Sequence, residues 1–185
     1  VFAVVRRAAE DLGGLDRVVV NAGLGKGARI GTGGFAANLE TAETNFVAAL
    51  AQCEAAMEHF YARRSGHLVV VSSVSAMRGM PSSMTTYAAT KAGIAQLAEG
   101  IRADLVNRKG HDIAVTTVFP GYIASEMNEK VEQKPRLMVG TETGSRALVA
   151  AIDSEKPERI VPPWPWRPLA FVLRHAPLGI VRRMV

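Results

Sequence analysis

Tyr87 and Lys91 stand four residues apart in the segment Tyr87-Ala88-Ala89-Thr90-Lys91. At that spacing two side chains are neighbours on one helical face, so a phenol and an ammonium can act together. A cation beside a phenol favours the phenolate and eases proton exchange by a group whose ordinary pKa is about 10. The spacing alone is a weak signal, because surface helices carry such pairs by chance. Its weight depends on what the neighbouring elements bring to it.

Those elements alternate. Val4, Val5, Ala8, Ala9 and Leu12 recur at helical spacing and predict a short amphipathic helix over 1–12, stopped by Gly13-Gly14. LDRVVV (15–20) is a β-branched burst of the kind buried on both faces of a parallel sheet, ending at Asn21-Ala22-Gly23. The glycine-rich stretch 23–34 invites a phosphate-loop reading. Its Gly25, Gly27 and Gly31 do not give the G-x-G-x-x-G spacing, however, so it reads as a loop beside a cleft. Residues 38–63 predict one long alanine-rich helix with Asn45 inside it, a poor mid-helix residue whose ordinary explanation is exposure. HLVVVSS (67–73) predicts a second buried strand ending in hydroxyls, and 77–86 a loop.

A helix from Tyr87 to about Val106 follows, with Ile94, Leu97, Ile101 and Leu105 on one face and small Ala88, Ala92, Gly93, Ala95 and Ala98 admitting close approach. DIAVTTVF (112–119) is a third strand cut by Pro120-Gly121, 125–138 has the irregular charge of a mobile lid, 141–152 is a helix and 159–161 a last short strand. Strand and helix in alternation imply an α/β fold with an open, Rossmann-like doubly wound parallel sheet. Ligands bind such sheets beyond the carboxyl ends of the strands, where Asn21, Ser73 and Pro120-Gly121 all fall.

Composition narrows the class. With 185 residues, 48% hydrophobic and 21% charged, the chain suits one folded domain rather than disorder. Residues 1–161 form its body, and 162–185 an apolar and basic extension. Cys53 is the single cysteine, which excludes an intrachain disulfide and points to a reducing, cytoplasmic setting. The first residues carry arginines within the apolar stretch and lack an export signal's pattern. The net charge of +5 is scattered, with a mild concentration at Arg174, Arg182 and Arg183, so no nucleic-acid surface is expected. His59, His67, His111 and His175 have no metal-ligand spacing and read as structural or exposed. Neither apolar run of the tail reaches the ~20 residues of a membrane span. Peripheral membrane contact or a subunit interface is open to it, with packing on the domain's own cleft slightly ahead.

The ordered set Asn21-Ala22-Gly23, Asn45, Ser73, Tyr87 with Lys91, and Pro120-Gly121 closely resembles the short-chain dehydrogenase/reductase family, over about residues 1–161. The resemblance implies an NAD(P)-dependent oxidoreductase interconverting an alcohol and a ketone or aldehyde, with NADP slightly ahead of NAD. Tyr87 is then the general acid and base, and Lys91 lowers its pKa and bonds the nicotinamide ribose. Ser73, with Ser72 and Ser75 as nearby competitors, holds the substrate oxygen, and Asn45 anchors a water joining Lys91 to solvent. Asn21, Ala22 and Gly23 border the adenosine side of the cofactor. Pro120, Gly121, Ile123 and Ser125 form the turn that meets the nicotinamide, Ser125 standing where the family usually has threonine.

The family's opening β-α-β-α-β half, with the glycine-rich turn that seats the pyrophosphate, has no counterpart here, so the sequence reads as a fragment of a longer enzyme. A catalytically idle binding or scaffold protein is the second reading and an epimerase or dehydratase the third. Met77, Met80, Met84 and Met127 with the tail suggest a hydrophobic substrate. By resemblance, the helices from Asn38 and Tyr87 would pair in a homodimer or homotetramer.

Overall fold

The computed structural model describes residues 1–124 and 137–184. Helix α1 (Phe2–Leu12) ends on Gly13, whose φ of 73° is the left-handed cap that the double glycine predicted. Strand β1 (Arg17–Val20) corrects an expectation. Among its residues only Val20 is buried, while Arg17 and Val19 face solvent, because no β1 residue belongs to the core cluster on the face of the sheet opposite Val20.

The helix predicted over 38–63 begins earlier and changes gauge. Helix α2 (Phe35–Ala42) widens into a π turn (Glu43–Val47) before resuming as α3 (Ala48–Arg63). Asn45 lies in the wide turn, and it is 1% exposed rather than solvated. Strand β2 (Ser65–Val71) leaves Ser72 and Ser73 just past its carboxyl end, and a 3₁₀ turn (Val74–Met77) follows. Helix α4 (Met84–Leu105) starts three residues ahead of the prediction, which places Tyr87 in its first turn. Its small residues serve packing within the domain: at Gly93 the Phe46 ring lies 3.0 Å from where a Cβ would stand.

Strands β1, β2, β3 (Asp112–Pro120) and β4 (Glu158–Val161) pair in parallel in that order, in registers such as Val18↔Leu68, Val70↔Thr117 and Phe119↔Ile160. Alternation divides the core between two faces. Val20, Leu68, Val70 and Val115 pack with Cys53, Met57, Phe60, Ile94 and Ala98 of α3 and α4, whereas Val69, Val118 and Val161 pack with Ala151 of α5 (Thr141–Asp153). The sheet is therefore doubly wound, as the alternating sequence implied.

At the amino ends of the strands, buried His67 links three of them. Its Nδ1 accepts from Arg17 Nε at 3.0 Å and its Nε2 lies 2.8 Å from Thr116 Oγ1, while Arg17 also pairs with Asp153 at 2.7 Å. This is the structural role expected of the histidine.

The tail folds into α6 (Pro163–His175) and α7 (Leu178–Met184). Leu173 and Val181 close over Met80 and Ala88, with Met77 and Met84 at the margin, and Trp166 packs on Val74 and Phe119. Packing on the body is thus what the inner face of the tail does. The outer face does not share it.

Candidate active site

Three backbone segments meet beyond the strand ends: Asn21 to Leu24 after β1, Ser72 to Ser75 after β2, and Gly121 to Ile123 after β3. Helix α4 supplies the fourth wall. Ser72 fixes that wall by donating from Oγ to the Lys91 carbonyl at 2.7 Å, which leaves Ser73 as the hydroxyl facing the phenol. Lys91 is only 4% exposed, and its Nζ donates to Val71 O at 2.9 Å. Burial disfavours the charged amine and pulls its pKa down to about 8.

Tyr87 is shifted the other way. Burial pushes its phenol above the ordinary range, a hydrogen bond with Ser73 opposes that shift, and the neighbouring Tyr122 phenol adds to it. Lys91 is not among the groups that shift the phenol here. The ammonium lies 6.0 Å from the Tyr87 ring centroid and is engaged by the β2 carbonyl, so desolvation governs both groups. The group that favours the phenolate is Ser73.

Ser73 is itself oriented. Its Oγ accepts the Ser75 backbone N–H at 3.2 Å and the Ser75 hydroxyl at 2.9 Å. A hydroxyl offers two acceptor sites and one proton, so with both sites taken its proton is directed outward, to Tyr87 and to any oxygen placed between them. Ser75 is thus a support for Ser73 rather than a competitor.

Asn45 spends its carboxamide on the loop. Oδ1 accepts from Leu24 N at 2.6 Å, and Nδ2 donates to Leu24 O at 2.9 Å and to Thr90 Oγ1 at 3.3 Å. Thr90 in turn donates to Tyr87 O at 2.8 Å. Two further residues, which the sequence reading missed, extend this grip: Thr41 donates to Lys26 O, and Asn38 both accepts from Ala28 N at 3.0 Å and donates to Ala28 O at 3.1 Å. Polar residues 38, 41 and 45 on an alanine-rich helix hold alternate residues 28, 26 and 24 of the loop. That i, i+3, i+7 recurrence is the signal in the sequence that marks Asn38 and Thr41.

The loop's geometry bears on what it can bind. The amides of Leu24 and Ala28 are already taken, so they cannot cradle phosphate, in keeping with the cleft-side reading of the glycines. Gly23 lies against Lys91, and a Cβ there would stand 3.2 Å from Nζ. The missing side chain lets the β1 turn approach the buried amine closely.

After β3, Gly121 N donates to Val161 O at 2.8 Å, and the Trp166 indole occupies the space a Gly121 Cβ would need. Tyr122 stands edge-on to that indole at 5.5 Å. Ile123 bridges to Val139 and rests on Gly144. The expected residues Asn21, Ala22, Gly23, Ser73, Pro120, Gly121 and Ile123 stand at or just past the carboxyl ends of β1, β2 and β3, Tyr87 and Lys91 on α4 and Asn45 in the π turn, while Ser125, Met127 and most of the expected lid lie outside the described residues. Among the described residues no cluster of His, Cys, Asp and Glu could hold a metal ion. Cys53 is buried away from the site, and desolvation raises its thiol to about 11.

This arrangement of sheet and crevice has clear relatives. The short chain dehydrogenase family model matches residues 1–136. An uncharacterized oxidoreductase of Mycobacterium tuberculosis is 49% identical over 175 residues, covering 95% of this chain and 68% of that protein. Nodulation protein G of Rhizobium meliloti is 31% identical over 83% of this chain and 65% of its own length. A Burkholderia cenocepacia short chain dehydrogenase crystallised with NADP superposes with a TM-score of 0.81 at 24% identity, over 100% of this chain and 75% of that one. The chain belongs to the short-chain dehydrogenase family.

Proposed function

We propose that the protein is an NAD(P)-dependent oxidoreductase that interconverts an alcohol and a ketone or aldehyde, with Tyr87 as its general acid and base. The observation that carries this reading is the Ser75, Ser73, Tyr87 chain of hydroxyls, set beside a buried Lys91 at the carboxyl edge of the sheet. Reduction of a carbonyl builds negative charge on oxygen, and a positioned donor there is worth roughly 10²- to 10⁴-fold in rate. Tyr87, held protonated at neutral pH by burial, is that donor. Ser73 directs its single free proton at the same oxygen and fixes the carbonyl beside the phenol. In the alcohol-oxidising direction Tyr87, as the phenolate, takes the proton of the alcohol, and Ser73 steadies that phenolate by donating to it.

A nicotinamide cofactor supplies or accepts the hydride. Lys91 and Tyr87 would hold its ribose, Asn21, Ala22 and Gly23 its adenosine side, and Pro120, Gly121 and Ile123 its carboxamide. The NADP-bound Burkholderia relative supports NADP ahead of NAD. The methionine-lined surface of Met77, Met80 and Met84 under the tail supports an apolar substrate. A homodimer or homotetramer is the expected assembly.

The test is a steady-state screen on aliphatic, steroid and acyl ketones with NADPH and NADH, run beside Tyr87→Phe. The expected result is turnover by the wild type and a loss of about 10²-fold or more in the variant. Full activity in Tyr87→Phe would overturn the mechanism.

A further inference from the structure

The mild concentration of charge in the tail is one-sided. Of a net +5, the arginines at 167, 174, 182 and 183 contribute four, and the segment from Pro162 to Val185 contains no Asp or Glu. The same segment holds both tryptophans. Its inner face is spent on the body through Trp166, Ala170, Leu173 and Val181. The outer face is apolar as well as basic: Trp164 is 78% exposed, Phe171 66%, Leu178 63% and Ile180 51%. On α6, Arg167, Phe171 and Arg174 recur at i, i+4 and i+7, a single outward stripe, with His175 stacked on Phe171 at 4.4 Å. Exposed Arg182 lies on α7 beside this apolar set.

We infer that the outer face of α6 and α7 docks on the surface of an anionic lipid bilayer. Three features select this occupant. Exposed Trp, Phe, Leu and Ile among arginines, without acidic residues, match an interfacial helix, and arginine near an anionic headgroup layer is attracted to it. An isologous pairing of two copies would set like against like, and no carboxylate on the segment is available to offset the arginines. Among the described residues no helix is long and apolar enough to cross a membrane, so the contact is peripheral. Bound this way, the tail rests on lipid with one face and on Met77, Met80, Met84 and Ala88 with the other.

The experiment is sedimentation of the protein with phosphatidylglycerol/phosphatidylcholine vesicles and with phosphatidylcholine vesicles alone, over a range of salt. The expected result is binding to the anionic vesicles that weakens with salt, and little binding to the neutral ones. Arg167→Gln with Arg174→Gln should lower the partition coefficient roughly 30-fold, and Phe171→Ser should lower it further. Both changes lie on exposed positions, and circular dichroism and light scattering of each variant check fold and oligomeric state. Equal binding to both vesicle types, no binding at low salt, or unchanged partition in the arginine variant overturns the inference. So does a light-scattering shift to monomer in Phe171→Ser without vesicle binding by the wild type, which would assign the face to a second copy. None of these readouts depends on turnover.

Discussion

Ser75 holds Ser73 at two points, its backbone N–H at 3.2 Å and its hydroxyl at 2.9 Å from the same Oγ. The acceptor sites of Ser73 are thereby filled from behind, and its proton faces the Tyr87 phenol. Removing the support frees the hydroxyl to turn. Ser75→Ala should lower kcat about fivefold with KM nearly unchanged, since a single neutral hydrogen bond is worth about 1 kcal/mol. Ser73→Ala should lower kcat further, and the two losses should not add in the double variant. Additive losses would mean that Ser75 acts elsewhere.

Burial of Lys91 sets stability against chemistry. Its folded-state pKa is depressed from 10.5 to about 8, so holding the amine charged at pH 7 costs about 3 kcal/mol relative to the unfolded chain. The sign follows: the unfolded state binds the extra proton, and stability rises with pH between about 8 and 10.5. Lys91→Met should therefore be inactive yet melt several degrees higher at pH 7, after allowance for the lost bond to Val71 O. The gain should shrink at pH 10. A lower melting temperature at pH 7 would contradict it.

The same amine sets an alkaline limit on turnover. Tyr87 is raised, so it stays protonated well past neutrality, and the group that loses its proton first is Lys91 at about 8. For carbonyl reduction, kcat/KM should be level below that value and fall above it. In Lys91→Arg, which remains charged, whatever activity survives should lack that descending limb.

His67 gives an acid-side dependence. Burial first, and Arg17 second, lower its pKa below 6.5, so between 6.5 and the folded value the unfolded chain carries more protons. This contribution is complete above 6.5 and is lost as pH falls below it. Urea midpoints should drop between pH 7.5 and 5 by more in the wild type than in His67→Gln.

The sequence carried the fold far because each strand announces itself by β-branched runs and each turn by glycine or proline. The candidate site is legible in it only as the fixed order of Asn45, Ser73, Tyr87 and Lys91. What it could not give depends on three-dimensional company. Asn45 is explained by a loop 21 positions away in sequence, and nothing local to Asn45 predicts a π turn. The downward shift of Lys91 and the upward shift of Tyr87 come from burial, a quantity that neighbours along the chain do not fix. The apolar and basic character of the tail is legible in sequence, but not which of its residues, such as Trp166, Leu173 and Val181, turn onto the body.

The loop between β1 and α2 has no strand, yet the amides and carbonyls of Leu24 and Ala28 are bonded as a strand's would be, to the carboxamides of Asn45 and Asn38. Those two amides should exchange with deuterium as slowly as sheet amides. An exchange map would draw this coil as a fifth strand, one whose pairing partner is a row of side chains.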